Sequence, residues 1–373
     1  MRSAETIRYQ NSIDLKKTGR IIEKHRAFIR PKIHLLIWLL LGLFMLIVWS
    51  IAVGSYDISL SKILQALLGL EEGPYKIVVW GIRMPRIAAA VITGCALGLS
   101  GLATQSLLKN PLASPFTLGI SQGAAFGAAF SIVVMGAAGM QQSALRTADA
   151  TTFTVLNVYA VTFFAFLGAI TATVVILLLA RLKKMSPESI ILAGVALSSL
   201  FTSGTILIQY FATDVEIATV VFWTFGDVAR SSWHEIGLLG FVTALVVIYF
   251  VFHRWNLNAL AAGDDSARGL GVDINRLRLA GMFLAALVAA LATAFHGVIA
   301  FLGLLAPHIG RRLAGSDHGL LIPYSCLVGS ILLLTADTLG RLLVGSGTLP
   351  VGVLTSFMGA PLFLYLLMKG LRG

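Results

Sequence analysis

Few residues in this 373-residue chain have the types and spacing that do chemistry. An ATP-hydrolysing loop needs a glycine-rich backbone and a lysine for the phosphates, and the chain contains no Gly-Lys dipeptide. Proton coupling calls for acids at membrane depth. Asp337 is the one acid clearly inside an apolar run, and it lies near that run's end. Arg341 follows one helical turn later, the spacing of a structural pair. His296 and His308 flank a glycine break; metal or haem ligation is one reading, a hydrogen-bonded structural role the more ordinary one. Cys95 and Cys326 lie in apolar runs and read as packing residues, not as a disulfide or metal pair. No catalytic residue, metal site or bound cofactor is therefore expected on this chain. Any energy source belongs to a partner.

The elements that must position these groups are apolar. The chain is 57% hydrophobic and 12% charged, about half the charged fraction of a soluble domain. Lys, Arg, Asp and Glu are absent from 33–56, 87–108, 110–145, 150–180, 189–213, 236–253, 279–310, 318–336 and 342–368. A run of about 20 such residues crosses the hydrocarbon core as a helix, and many in one chain make an all-α polytopic membrane bundle. About ten transmembrane helices are expected, near 33–54, 86–107, 114–136, 152–181, 190–212, 234–253, 276–296, 299–314, 319–340 and 350–369. The eighth is interrupted by Gly297, Gly303, Pro307 and Gly310.

Basic residues give the orientation. With the amino terminus in the cytoplasm, that side receives the nine Lys and Arg of residues 1–32. It also receives Lys109, Arg181, Lys183, Lys184, Arg254, Arg268, Arg276, Arg278, Arg311, Arg312, Lys369 and Arg372. These make 21 of the 28 basic residues, so both termini are expected inside. The net charge of +11 thus reads as membrane orientation, and no nucleic-acid partner is expected. The apolar run after residue 32 is too long for a signal-peptide core. Residues 1–32 are read as a basic cytoplasmic leader, a plain tail in preference to a surface-lying amphipathic segment, and 33–373 as one transmembrane domain.

The remaining signals lie at run ends and in loops. Arg83-Met-Pro-Arg86 opens the second span, where interfacial arginines often only snorkel. Loop 254–275 holds Asp264, Asp265 and Arg268 between Leu260 and Leu270. It can dock another protein or simply be solvated. Asn110-Pro-Leu-Ala113 and Pro187 break helices on the inner side, and Pro350 and Pro361 frame the last span. Such breaks line gates or form ordinary turns. Gly94 and Gly98, and Gly119, Gly123 and Gly127, recur at one-turn spacing, which lets helices approach closely.

Together these elements resemble the FecCD-type permeases of bacterial ABC importers, which include siderophore, haem and cobalamin permeases. The matching motifs run in order. They begin with Arg83-Met-Pro-Arg86, Gly101 to Gln105, Asn110-Pro-Leu-Ala113 with Pro115, Gly119 and Gly123, and Leu192-Ala-Gly-Val-Ala-Leu197. They continue with Gly263 to Gly271, Phe301 to Arg311, Gly315-Ser-Asp-His318, Ala336-Asp337 with Arg341, Leu349-Pro-Val-Gly352 and Gly359-Ala-Pro361.

The resemblance implies a type II importer permease in the cell's inner membrane, paired with a second copy of itself. It implies two cytoplasmic ATPase subunits that carry ATP and Mg, and an extracytoplasmic binding protein. Arg83, Arg86 and Arg341 match the residues that receive the binding protein. Leu260, Gly263, Asp264, Asp265, Arg268, Gly269 and Leu270 match the ATPase-docking segment. Asn110, Pro111, Leu112 and Ala113, and Pro187 with Glu188, match the two inner gates, although the second departs from the small hydroxyl residues usual there. The expected cargo is a ferric siderophore moved by alternating access. Haem or cobalamin is the alternative, and an ion-coupled secondary transporter a more distant one.

Overall fold

The computed structural model describes residues 2–54, 58–70, 73–136, 150–183, 186–230, 232–343 and 349–370. Lys184 and Arg372, two of the basic residues that give the orientation, lie outside them. Among the described residues every regular element is helical. The principal helices are α1 (Arg2–Ala52), α2 (Leu60–Leu67), α3 (Met84–Leu107), α4 (Ile120–Ala129), α5 (Ala150–Lys183), α6 (Pro187–Tyr210) and α7 (Asp214–Thr224). They continue as α8 (Trp233–Phe252), α9 (Arg254–Ala261), α10 (Asp264–Gly269), α11 (Ile274–His296), α12 (Leu302–Ala314), α13 (His318–Leu343) and α14 (Val351–Gly370). A π-helical turn, Ile77–Arg83, leads into α3, and another, Phe130–Val134, prolongs α4.

A helix occupies each of the ten expected positions. Seven are long and apolar enough to cross a membrane, namely Ile29–Ala52, Pro74–Leu107, Tyr159–Leu182, Pro187–Tyr210, Trp233–Phe252, Ile274–His296 and His318–Leu343. Ile120–Val134 and Val351–Tyr365 are shorter apolar helices. The expected span 299–314 begins only at Leu302. Gly297 (φ 74°) ends α11, and Phe301 (φ 64°) holds a left-handed conformation before α12. At 13 residues α12 is about 20 Å long, short of the hydrocarbon thickness of about 30 Å.

Two further differences concern boundaries. The expected leader and first span form one continuous helix, α1, with Pro31 inside it. Pro187 and Glu188, expected in a turn, form the first turn of α6. Ser186 caps that turn by accepting from Ser189 N at 3.4 Å, and proline suits the first helical position because its missing N–H has no partner there in any case.

The chain divides into two units, Met1–Phe44 and Met45–Gly373. The first is the amino-terminal part of α1, with Ile37, Trp38, Leu40, Leu41 and Phe44 exposed. The second is the bundle, and all packing below lies within it. At its centre is α3, most of which is buried. It runs antiparallel to α13, and glycines set the distance. A methyl group built on Gly94 would overlap the carbonyl of Gly329, and one on Gly329 would overlap that of Gly94. Gly123 of α4 and Gly168 of α5 meet in the same way. The one-turn glycine spacing is therefore a backbone-contact stripe. By contrast α6 exposes Leu192 and Leu200, as a lipid- or partner-facing helix does.

Candidate functional site

The two ends of α3 carry the polar clusters. At its first turn Arg86 Nε lies 2.8 Å from Asp337 Oδ1 of α13. Arg341 Nε, one turn beyond Asp337 on the same helix, lies 3.3 Å from Oδ2. The other arginine nitrogens reach the end of α1. Arg83 Nη1 donates to the carbonyls of Ile51 at 2.6 Å and Ala52 at 3.3 Å. Arg341 Nη1 donates to Ser50 O at 3.2 Å and Val53 O at 3.0 Å, and Nη2 donates to Ser50 Oγ. The last carbonyls of a helix have no intrahelical partner and sit at the negative end of its dipole. Two guanidinium groups satisfy them here.

The three arginines singled out from the sequence thus come together, but inside the protein. Arg83, Arg86 and Arg341 are 4%, 9% and 8% exposed. The cluster holds three guanidinium groups and one carboxylate, so it carries net positive charge. Ser50, which the sequence reading passed over, is fully buried in it. A serine near the end of a span gives no sequence signal for such a role.

At the opposite end, the loop 254–275 folds into α9 and α10. Its expected docking residues separate into two groups. Leu260 is fully buried, and Gly263, with φ 128°, turns the chain between the two helices. Asp265, Arg268, Gly269 and Leu270 are exposed, and the Asp265–Arg268 pair at 3.9 Å is a weak surface contact. Asp264 turns the other way. Its Oδ1 lies 2.5 Å from Lys109 Nζ, and its Oδ2 lies 3.1 Å from Arg278 Nη2. The hydrogen bond from Lys109, aided by Arg278, holds the Asp264 carboxyl below the usual carboxylate range despite some burial.

The first expected gate, Asn110 to Ala113, follows directly. Lys109 has φ 49°. Lys109 N donates to Ser106 O at 3.4 Å and Asn110 N to Gln105 O at 3.1 Å, the paired bonds of a left-handed helix stop. Asn110 Oδ1 then accepts from Leu112 N at 2.8 Å. Leu112 is exposed and Ala113 buried. A second polar chain joins α9 to the same end. His318 Nδ1 lies 2.7 Å from Asn258 Oδ1, and His318 Nε2 lies 2.9 Å from Ser106 Oγ. Between the two ends is a cavity of about 250 Å³, lined in part by Leu97, Ser114, Phe116, Ile120, Thr293 and Phe301. His296 is fully buried beside Thr93, 3.1 Å from its hydroxyl, as a structural membrane histidine is.

An all-helical bundle with several membrane-length apolar helices and its charged clusters at the helix ends defines a polytopic membrane protein. The sequence pattern of the FecCD transport family matches residues 41–369, and the chain belongs to that family. It is 47% identical over 349 residues to an ABC transporter permease protein of Methanocaldococcus jannaschii, covering 94% of this chain and 98% of that one. It is 36% identical to an Fe(3+)-citrate import system permease of Bacillus subtilis, covering 91% and 95%. Identity to a hemin transport system permease of Yersinia pestis is 33%, covering 89% and 96%. A metal-chelate type ABC transporter solved in an inward-facing conformation superposes with a TM-score of 0.75 at 29% identity, over 90% of this chain and 99% of that one. As a family member the chain is a transport subunit, and ATP hydrolysis resides in a separate subunit.

Proposed function

We propose that this chain is the permease of a binding-protein-dependent importer that carries a ferric siderophore across the cell's inner membrane, with both termini in the cytoplasm. The observation that carries the reading is the pair of short helices α9 and α10 between two spans. This pair presents Asp265, Arg268 and Leu270 outward while Leu260 anchors it. Two ATPase subunits dock there, one on each copy of a permease homodimer. The binding protein docks over the opposite end, drawn by the net positive charge that Arg83, Arg86 and Arg341 supply beneath the rim. The inner gate is formed by Asn110 to Ala113, with Pro187 and Glu188 at the start of α6.

ATP binding and hydrolysis in the partner subunits reorient the bundle between outward and inward openings. The path needs only weak contacts with its cargo, since tight binding would slow release. Haem is the second reading, because the hemin permease is nearly as similar to this chain as the iron-citrate one. Cobalamin follows it. Uptake into liposomes holding the permease, its ATPase and its binding protein tests the proposal. ATP-dependent entry of ferric siderophore alone supports it, and entry of hemin or cobalamin instead changes the cargo. Entry driven by an ion gradient without ATP overturns the reading.

A further inference from the structure

The exposed and the inward-facing residues of α10 have different partners, and the inward-facing one leads to the gate. Asp264, at the start of α10, gathers two basic groups from two other elements. One is Lys109, the residue joining α3 to the Asn110–Ala113 turn. The other is Arg278 of α11, whose Nε also donates to Leu107 O, the last carbonyl of α3, at 3.1 Å. A single carboxylate therefore ties α10, the end of α3 and α11 together within about one side chain's reach of the gate turn.

The conformation of Lys109 adds a second, independent observation. A left-handed stop is usually glycine, because a side chain there crowds its own backbone. Lysine occupies it here at φ 49°, and its ammonium is spent on Asp264. A glycine would hold the turn equally well but could not reach α10. The residue type thus serves the link and not the turn.

We propose that Asp264, Lys109 and Arg278 form a transmission link by which displacement of α10 moves the Asn110–Ala113 turn, with Lys109 as its positioning residue. The inference rests on the reading of this chain as an ATP-driven permease. Force applied to α10 by a docked ATPase passes through the ion pair into the left-handed residue, and from there into the turn that opens or closes the path. The Asp265 and Arg268 side chains remain available for docking while Asp264 carries the motion inward.

The test uses the complete transporter in liposomes, with ferric citrate, a ferric hydroxamate and hemin each supplied as cargo. Lys109→Gly keeps the left-handed turn and removes the ammonium. The ATPase should stay bound and hydrolyse ATP, while cargo imported per ATP falls about fivefold or more, the ordinary size of a coupling between two sites. Lys109→Arg should restore the ratio, and Asp264→Asn should lower it as Lys109→Gly does. An unchanged ratio in Lys109→Gly overturns the link, because a role confined to the turn predicts that result. Loss of ATPase binding in Lys109→Gly also overturns it, by making the residue part of the docking surface. Failure of the unmodified chain to import any of these chelates with ATP overturns the proposed cargo instead, and the link, which rests on that import, with it.

Discussion

Arg86 and Asp337 stand 251 positions apart in the chain and meet at 2.8 Å, where the start of α3 packs against the far end of α13. The Asp337 side chain is fully buried. Its charge is balanced by the guanidinium groups of Arg86 and Arg341, and Arg341 also holds the end of α1.

Removing the centre of that cluster should be costly. Asp337→Ala leaves Arg86 and Arg341 buried without their counter-ion, and breaking a buried pair in this way costs about 3–5 kcal/mol. The melting temperature in detergent should fall sharply. Arg86→Gln should fall less, since Arg341 still neutralises Asp337. Equal melting temperatures for Asp337→Ala and the parent would refute the clamp.

Close approach of α3 and α13 depends on hydrogen in place of a side chain at Gly94. Gly94→Ala drives a methyl into the carbonyl of Gly329, and overpacking of this kind costs about 1–3 kcal/mol. Gly42 has nothing within 4 Å of a built Cβ and lies inside a helix, where alanine is preferred to glycine, so Gly42→Ala should not destabilise. Thermal unfolding of the two variants side by side checks the contrast.

Docking should be separable from folding on α10. Asp265→Ala with Arg268→Ala removes two exposed groups whose mutual contact contributes little. The melting temperature should hold, while co-purification of the ATPase drops. Retention of the ATPase at full yield would move the docking surface elsewhere.

The link at Asp264 has a definite pH response. Its carboxyl is held below the usual range by Lys109, so the folded state favours the ionised form. The contribution to stability is present above the ordinary aspartate value and is lost only as pH falls through the depressed one. Between pH 5 and 8 the stability difference between the parent and Asp264→Asn should be constant. Narrowing should begin only in more acidic solution. A difference that fades already near pH 6 would contradict the ion pair.

Much of this architecture was legible in the sequence because lipid imposes a long, simple signal. Charges are costly and therefore few within a span, so charge-free runs located the helices. The glycine stripe at Gly94 and Gly98 likewise announced close packing. Short elements were harder. Helix α7 lies in a stretch with no membrane-length run, yet its signal was present: Thr213 N donates to Glu216 Oε2 at 2.8 Å and Glu216 N to Thr213 Oγ1 at 3.4 Å, a capping box readable as Thr-x-x-Glu.

The clusters were legible in part. Asp337 and Arg341 are one turn apart and could be paired by spacing, whereas Arg86 reaches Asp337 only through tertiary packing. Burial of the three arginines was hidden for the same reason. The snorkelling expectation assumed that an interfacial arginine turns to water, but the end of α1 supplies carbonyls nearer at hand. Lys109 looked like one more basic residue on the inner side, because nothing in its neighbours marks a left-handed backbone.

The pairing of α3 with α13 has a mechanical consequence. The two helices are fastened at one end by Arg86 and Asp337, along their length by Gly94 against Gly329 and by Ser330 Oγ on Val91 O at 2.7 Å, and at the other end by Ser106 and His318. Four contacts spread along one pair of rods resist both sliding and splaying. Such a pair behaves as a beam, a stiff member against which the less tightly packed helices of the bundle are set.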